Sequence, residues 1–138
     1  MTREEIKAII PHRDDMLLLD AAVLDGETAR GTYAVRGDEF FLRGHFPGNP
    51  VVPGVILCEI LAQSACVLFK DALDGNKTPM YTGIDKARFR TPVRPGDVIE
   101  TEVHIVREKG VFRFCEGAAR VGGKICLTAE FSFAIVGA

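Results

Sequence analysis

The sequence shows no imbalance of charge that would point to a polyanionic partner. Its formal net charge is -2, from 17 lysine and arginine residues against 19 aspartate and glutamate residues. Such a chain has no overall field that attracts nucleic acid, so any basic patch must be local. It also contains no repeat, linker or low-complexity segment. With 138 residues, 47% of them hydrophobic and 26% charged, it is expected to form a single domain over residues 1–138.

The sequence also predicts neither a secretion signal nor a membrane-spanning segment. The first five residues do not show the basic and then apolar layout of a signal peptide. The longest apolar run, residues 55–73, is interrupted by Glu59, Gln63, Ser64 and Lys70, which argues against a transmembrane helix. We therefore expect a soluble, cytoplasmic protein that binds neither a membrane nor nucleic acid.

The cysteines do not form a recognisable motif. The four cysteines, Cys58, Cys66, Cys115 and Cys126, include no Cys-x-x-Cys pair and have no histidine at zinc-binding spacing. They are most simply interpreted as reduced core residues in a reducing compartment. The sequence therefore predicts no metal site.

The most informative stretch is residues 44–54, GHFPGNPVVPG, together with the apolar run that follows it. Three prolines and three glycines in this stretch surround one histidine, His45. The run 55–73 has no internal glycine or proline, so it predicts a helix of about 28 Å with Pro53 at its first position. Its apolar residues point in nearly all directions, which indicates a helix that is buried on most sides.

Two polar residues stand out near the start of this helix. Glu59 and Gln63 are four residues apart and therefore lie on the same face, where the Gln63 amide can donate to the Glu59 carboxyl group. Each candidate also has a purely structural interpretation: His45 as a loop residue beside Phe46, and Glu59 as a buried or interface carboxyl group. The occurrence of both at one end of one buried helix favours a catalytic pair.

Shorter patterns predict the elements around the central helix. Thr2 and Glu5 form a capping box that opens a helix over residues 3–10, which Pro11 ends. Asp74-Gly75-Asn76-Lys77 is expected to end the central helix. Strands are predicted over residues 16–24, 28–36, 80–90, 98–107, 111–121 and 124–135. This order predicts an α+β fold in which an antiparallel sheet curves around the helix.

Five motifs together resemble one protein family. They are IPHR at 10–13, GHFPGNPVVPGV at 44–55, Glu59 with Ala62-Gln63, GIDKARF at 83–89 and PVRPGD at 92–97. In this order they resemble the bacterial (3R)-hydroxyacyl-acyl-carrier-protein dehydratases of fatty-acid synthesis. The resemblance implies a hotdog fold, and a homodimer with tunnel-shaped active sites at the subunit interface. In the family these dimers commonly assemble into hexamers.

The resemblance also implies roles for individual residues. His45 would be the catalytic histidine, held by the backbone carbonyl of Val51, and Glu59 of the other subunit would be the catalytic acid. Gly54 would donate its N–H to the thioester carbonyl, and Gln63 would support the site. A glutamate rather than an aspartate at position 59 favours the dehydratase that does not isomerise its product. No protein-bound cofactor is implied, because the substrate arrives on the phosphopantetheine of acyl carrier protein.

The chemistry of dehydration independently asks for these residue types. Loss of water from a 3-hydroxyacyl thioester requires a base for the C2 proton, a donor to the enolate-like oxygen, and an acid for the departing hydroxide. A neutral histidine, a helix N-terminus and a carboxyl group in an apolar environment meet these needs. His45, Gly54 and Glu59 are one of each.

The cationic residues and the two other histidines are interpreted separately from the candidate catalytic residues. The cationic residues Lys86, Arg88, Arg90 and Arg94 form either an exposed sheet face or a docking site for the acidic carrier protein. His12, after a helix stop, is interpreted as structural, and His104 as solvated.

The sequence departs from the family at two places. After IPHR the family usually has an aromatic residue, a proline and a phenylalanine, whereas this chain has Asp14, Asp15 and Met16. Ile60 stands where alanine is usual. Packing near the tunnel is expected to differ there, and Ile60 to narrow the tunnel. Two other functions use the same fold: an acyl thioesterase, in which a helix carboxylate activates water, and a non-catalytic acyl-binding protein.

Overall fold

The computed structural model describes residues 1–73 and 76–137. Over these residues the helices and strands are, in chain order, α1 (Arg3–Lys7), β1 (Ala21–Asp25), β2 (Thr28–Ala34), α2 (Gly54–Cys66), β3 (Lys77–Phe89), β4 (Val98–Lys109), β5 (Phe112–Val121) and β6 (Lys124–Gly137). Short 3₁₀ segments cover Asp14–Met16, Phe40–Leu42 and Val67–Leu73.

The strands form one antiparallel sheet around α2. Their order across the sheet is β1-β2-β4-β5-β6-β3, and every neighbouring pair is antiparallel. Helix α2 packs against β2, β4, β5 and β6, so the sheet surrounds it on several sides. This arrangement confirms the predicted α+β class and is the hotdog fold that the family resemblance implied.

A buried polar bridge joins the helix to the sheet. The hydroxyl of Ser64 on α2 lies 2.7 Å from that of Thr101 on β4, and the Thr101 hydroxyl accepts the N–H of Gly31 on β2 at 3.0 Å. All three residues are buried. Because buried polar groups are costly when unpaired, this bridge favours one position of α2 along the sheet. Glu59 and Gln63, on the same helix, are placed with it.

The central helix is shorter than the sequence predicted. The α-helical geometry ends at Cys66, and Val67–Leu73 continues as a 3₁₀ segment with a kink at Phe69. The N–H of Val67 already bonds to the carbonyl of Ser64, three residues back, which is the tighter 3₁₀ pattern. Pro53 is the N-cap and Gly54 the first helical residue, one position later than predicted.

The ends of other helices and strands also differ from the predicted ones. Helix α1 carries the predicted capping box but stops at Lys7 instead of Ile10, because the next N–H groups, of Ala8 and Ile9, bond three residues back. The strand predicted over 16–24 begins only at Ala21. The strands predicted over 28–36, 80–90, 98–107, 111–121 and 124–135 are confirmed with ends shifted by up to three residues. The predicted helix end at 74–77 falls partly on residues 74 and 75, outside the described residues.

The described ranges were also compared with the requirements of a membrane-spanning helix and of a metal site. None of the helices over 1–73 and 76–137 has the length and apolar character that crossing a bilayer requires. In the same ranges, no three histidine, cysteine, aspartate or glutamate side chains are grouped in a way that would hold a metal ion. All four cysteines are free thiols in the core.

Candidate active site

The loop that carries His45 is held at its start by a carboxylate. Glu39 accepts hydrogen bonds from the hydroxyl of Tyr33 at 2.7 Å and from the N–H groups of Arg36 and Gly37 at 2.9 and 2.7 Å. Burial opposes ionisation of Glu39, but the two backbone hydrogen bonds, with that of Tyr33, outweigh it and hold its pKa below the ordinary value. The chain therefore enters the His45 loop from a turn that three hydrogen bonds to Glu39 hold.

The loop itself turns sharply around the histidine. Gly44 and Gly48 adopt positive φ angles of 77° and 82°, which glycine tolerates at no steric cost. Phe46 also has a positive φ of 55°, which is rare for a residue with a bulky side chain. Its ring lies 4.4 Å from the His45 ring, centroid to centroid. The strained Phe46 backbone thus directly follows the candidate base.

The orientation of the His45 imidazole is set by one hydrogen bond. Nδ1 lies 2.8 Å from the backbone carbonyl oxygen of Val51, which can only accept. Nδ1 therefore carries the proton, and the lone pair of Nε2 is left to accept one. The Val51 contact that the family resemblance implied is present in the structure.

A cavity of about 450 Å³ adjoins His45 at the N-terminus of α2. Its lining includes His45, Val51, Gly54, Leu57 and Phe89. As first residue of α2, Gly54 has an N–H with no carbonyl partner among the described residues. A Cβ added at this glycine would lie 2.7 Å from the Phe89 ring, so the absence of a side chain lets this ring pack directly against the start of α2.

Glu59 lies one turn further along α2 and is held by Gln63. The Gln63 amide donates to Glu59 Oε2 at 2.9 Å and to the carbonyl of Met16 at 2.7 Å. Gln63 Oε1 accepts the N–H of Leu18 at 2.8 Å. With Gln63 only 1% exposed, these contacts leave its side chain little freedom. The predicted hydrogen bond between Gln63 and Glu59 is confirmed.

The structure also shows where the residues that depart from the family, Asp14–Met16 and Ile60, are located. Asp14–Met16 forms a 3₁₀ turn with exposed side chains, and it reaches Gln63 through the backbone carbonyl of Met16. The side chains at these positions therefore do not make the contact near the site. Ile60 is completely buried in the core and lines neither the cavity at His45 nor the one at Glu59. Its expected narrowing of the tunnel finds no support in these cavities.

One residue near Glu59 was set aside by the sequence analysis. His12 Nε2 lies 3.1 Å from Glu59 Oε2, and the two side chains are about equally shielded, 24% and 21% exposed. The segment after α1 brings His12 to the helix. No periodic pattern marks this residue, and the only available signal was its place in the IPHR motif. His104 lies on β4, half exposed, beside Glu116.

The cavity at Glu59 is separate from that at His45. It measures about 110 Å³ and is lined by residues that include His12, Glu59, Gln63, Cys66 and Tyr81. Burial raises the pKa of Tyr81, and a negative charge on the neighbouring Glu59, when that group is ionised, raises it further; the neutral Tyr81 hydroxyl donates to the carbonyl of Cys58 at 2.7 Å. The linings of the two cavities have no residue in common. Within one subunit, His45 and Glu59 therefore do not face the same space.

The four cationic residues separate into two pairs. Arg90 lines the His45 cavity, and Arg94 bonds to the Asn49 side chain in the His45 loop. Lys86 and Arg88 instead lie in a groove whose lining also includes carboxylates, and Lys86 Nζ is 3.7 Å from Glu130. All four side chains are exposed.

Comparison with known proteins agrees with the resemblance in the sequence. Residues 10–130 match the family model of the FabA-like domain. The 3-hydroxyacyl-[acyl-carrier-protein] dehydratase FabZ of Caulobacter vibrioides is 45% identical over 138 residues, covering 96% of this chain and 86% of the relative. The FabZ of Halalkalibacterium halodurans is 43% identical over 138 residues, covering 98% and 99%.

Solved structures share the fold at low identity. The dehydratase heterocomplex ApeI:P from Xenorhabdus doucetiae superposes with a TM-score of 0.81 at 18% identity, covering 95% of this chain and 90% of that one. A thioesterase from Haemophilus influenzae gives 0.64 at 15% identity, covering 86% and 78%. At such identities the likeness shows the fold alone. The curated relatives decide the family: the chain belongs to the FabA-like family and, within it, to the FabZ 3-hydroxyacyl-[acyl-carrier-protein] dehydratases, a group of hydro-lyases.

Proposed function

We propose that this chain dehydrates (3R)-3-hydroxyacyl-acyl-carrier-protein to trans-2-enoyl-acyl-carrier-protein in type II fatty-acid biosynthesis. The observation that carries the proposal is the His45 imidazole, whose Nδ1 is tied to the Val51 carbonyl while Nε2 is left to accept a proton. The imidazole adjoins a cavity of about 450 Å³ at a helix N-terminus. Membership of the FabZ group supports the reaction class.

Each catalytic requirement has a group suited to it. His45 Nε2 takes the proton from C2, and the N–H of Gly54 donates to the thioester oxygen as negative charge develops there. Glu59 donates a proton to the departing hydroxide. The C2–H and C3–O bonds break, a C2–C3 double bond forms, and water leaves. C2 is formally oxidised and C3 is formally reduced by the same amount within one molecule, so the proposed reaction has no net redox change and needs no redox cofactor.

We propose that the acid comes from Glu59 of the partner subunit. The separate cavities of His45 and Glu59 within one chain support a site completed by a second copy. Strand β3 pairs only with β6 among the described residues, so its other edge is free over 13 residues. The exposed apolar side chains Ile84 and Phe89 lie on this strand, and Val55 lies at the start of α2. A long free edge with apolar side chains is suited to pairing with its own copy.

The proposal extends to assembly and location. The family resemblance supports a hexamer of three such dimers. Free, buried cysteines are compatible with a reducing compartment, and we propose that the enzyme acts in the cytoplasm. The acyl chain would arrive on the phosphopantetheine arm of acyl carrier protein.

We propose that Arg90 and Arg94, rather than Lys86 and Arg88, dock the acidic carrier protein, because they adjoin the His45 cavity and loop. Changing both to glutamate is expected to raise KM for the carrier-bound substrate roughly tenfold at low salt, and less at high salt. Steady-state kinetics at two ionic strengths measure this.

Two controls accompany the charge reversal. The matched pair Lys86→Glu and Arg88→Glu should change KM much less. For a small carrier-free thioester, which makes no carrier contact, the change of Arg90 and Arg94 should raise KM much less than it does for the carrier-bound substrate. An equal effect of the two pairs would show that the charge acts at long range, and would overturn the assignment to Arg90 and Arg94.

The proposed reaction is tested by supplying a short (3R)-3-hydroxyacyl-acyl-carrier-protein and following the absorbance of the conjugated trans-2-enoyl product. We expect the product to remain the trans-2 isomer. Release of a free thiol, measured in parallel, would instead identify a thioesterase. Tight binding of the acyl carrier protein without either product would identify an acyl-binding protein.

A further inference from the structure

His12 is placed against Glu59 by the backbone that precedes it. The guanidinium of Arg13 donates to the carbonyls of Lys7 and Ile10 at 2.9 and 2.8 Å, and also to that of His12. The end of α1 and the following turn are therefore tied together. His12 Nε2 lies 3.1 Å from Glu59 Oε2, and the His12 side chain contributes to the wall of the Glu59 cavity.

Two nitrogen atoms approach the same oxygen of Glu59. Gln63 Nε2 donates to Oε2 at 2.9 Å, and His12 Nε2 approaches the same atom. Gln63 cannot rotate to offer its oxygen instead, because its Oε1 already accepts from Leu18. His12 Nδ1 is buried and has no hydrogen-bond partner among the described residues.

The unpartnered Nδ1 indicates which tautomer the neutral ring adopts. With the proton on Nε2, the ring presents an N–H to Glu59 and leaves only a lone pair in the buried position. With the proton on Nδ1, a buried N–H would be unpaired and two lone pairs would face each other at Oε2. The first arrangement costs less. Oε2 then faces an N–H from each neighbour.

We propose that His12 is a positioning residue for Glu59: with Gln63 it keeps Oε2 as an acceptor, so that the acidic proton resides on Oε1. A carboxylic acid has one proton, and an oxygen that already faces two N–H groups is the poorer place for it. The proton is then on the oxygen that is free to meet the substrate hydroxyl. This inference rests on the proposed dehydration and names a residue that acts through Glu59.

The test compares three variants at position 12 in the enoyl-forming assay. His12→Ala is expected to lower kcat by roughly 10²-fold with little change in KM, since misplacing a catalytic group costs about that much. His12→Gln, whose side-chain N–H can reach a similar position, should recover most of the lost kcat. His12→Phe, which fills the volume without an N–H, should not. Thermal unfolding of each variant shows whether the fold is retained.

A double-variant cycle separates positioning from a general structural effect. In a Glu59→Gln background, His12→Ala should cause no further loss in single-turnover rate, because the group through which His12 acts is already gone. Additive losses, or an unchanged kcat in His12→Ala while Glu59→Gln is inactive, would overturn the inference and leave the proposed function standing. A wild-type protein that forms no enoyl product would overturn both.

Discussion

Replacing His45 with alanine is expected to lower kcat for enoyl formation by roughly 10²–10⁴-fold, the usual contribution of a general base. The structure supports His45 as this base, because the Val51 carbonyl holds the proton on Nδ1 and leaves Nε2 to accept one. Without the imidazole, water would have to remove the weakly acidic C2 proton. Initial rates on a short carrier-bound substrate measure the loss. The variant should still bind a non-reacting analogue of this substrate with largely unchanged affinity.

The matched control is another histidine of the same chain. His104 is half exposed on β4, where its Nε2 lies 2.7 Å from Glu116 on β5, and it lines neither candidate cavity. His104→Ala should therefore leave kcat within about twofold of the wild type, as a surface substitution away from the site. Undiminished turnover by folded His45→Ala protein would show that His45 is not the base.

Co-expressing His45→Ala and Glu59→Gln chains is expected to restore about a quarter of wild-type activity, although each variant alone is nearly inactive. In a twofold-symmetric dimer, each site would take His45 from one subunit and Glu59 from the other. A mixed dimer then has one site with both residues intact and one with neither. Random pairing makes about half of the dimers mixed, which gives the expected quarter.

The controls for this experiment use the same substitutions in other combinations. Wild-type chains mixed with the double variant His45→Ala/Glu59→Gln should form mixed dimers in which both sites are defective, so such dimers add no activity. Differently tagged subunits and mass spectrometry confirm that mixing has occurred. If mixed dimers of the two single variants form but show no recovery, the site is built within one chain, contrary to the separate cavities that His45 and Glu59 line.

The strands were predicted well because their signals are local. On β4, the residues Ile99, Thr101 and Val103 are buried and alternate with exposed or half-buried residues, which is the period of a strand with one face on the core. Turn residues such as Gly122 and Gly123 also act over a few positions, since a positive φ is a property of the residue itself. The order of these elements was enough to predict the sheet around the helix.

The end of the central helix was not predictable in the same way. Apolar residues on all sides indicate burial, but they do not say where hydrogen bonds change from the fourth to the third preceding residue. Phe69, at the kink, packs against Phe133 of β6 with ring centroids 5.6 Å apart. That partner comes from a distant part of the chain, so the sequence around Phe69 contains no signal for it.

What the sequence determined by itself is the set of chemical groups and their local geometry: a histidine in a turn-rich loop, and a carboxyl group one turn into a buried helix. Only the tertiary structure decided their neighbours. It placed His12 beside Glu59, separated Arg90 and Arg94 from Lys86 and Arg88, and gave His45 and Glu59 different cavities. The physical reason is that these relations depend on packing between segments far apart in the chain, whereas turns and strand alternation depend on neighbouring residues.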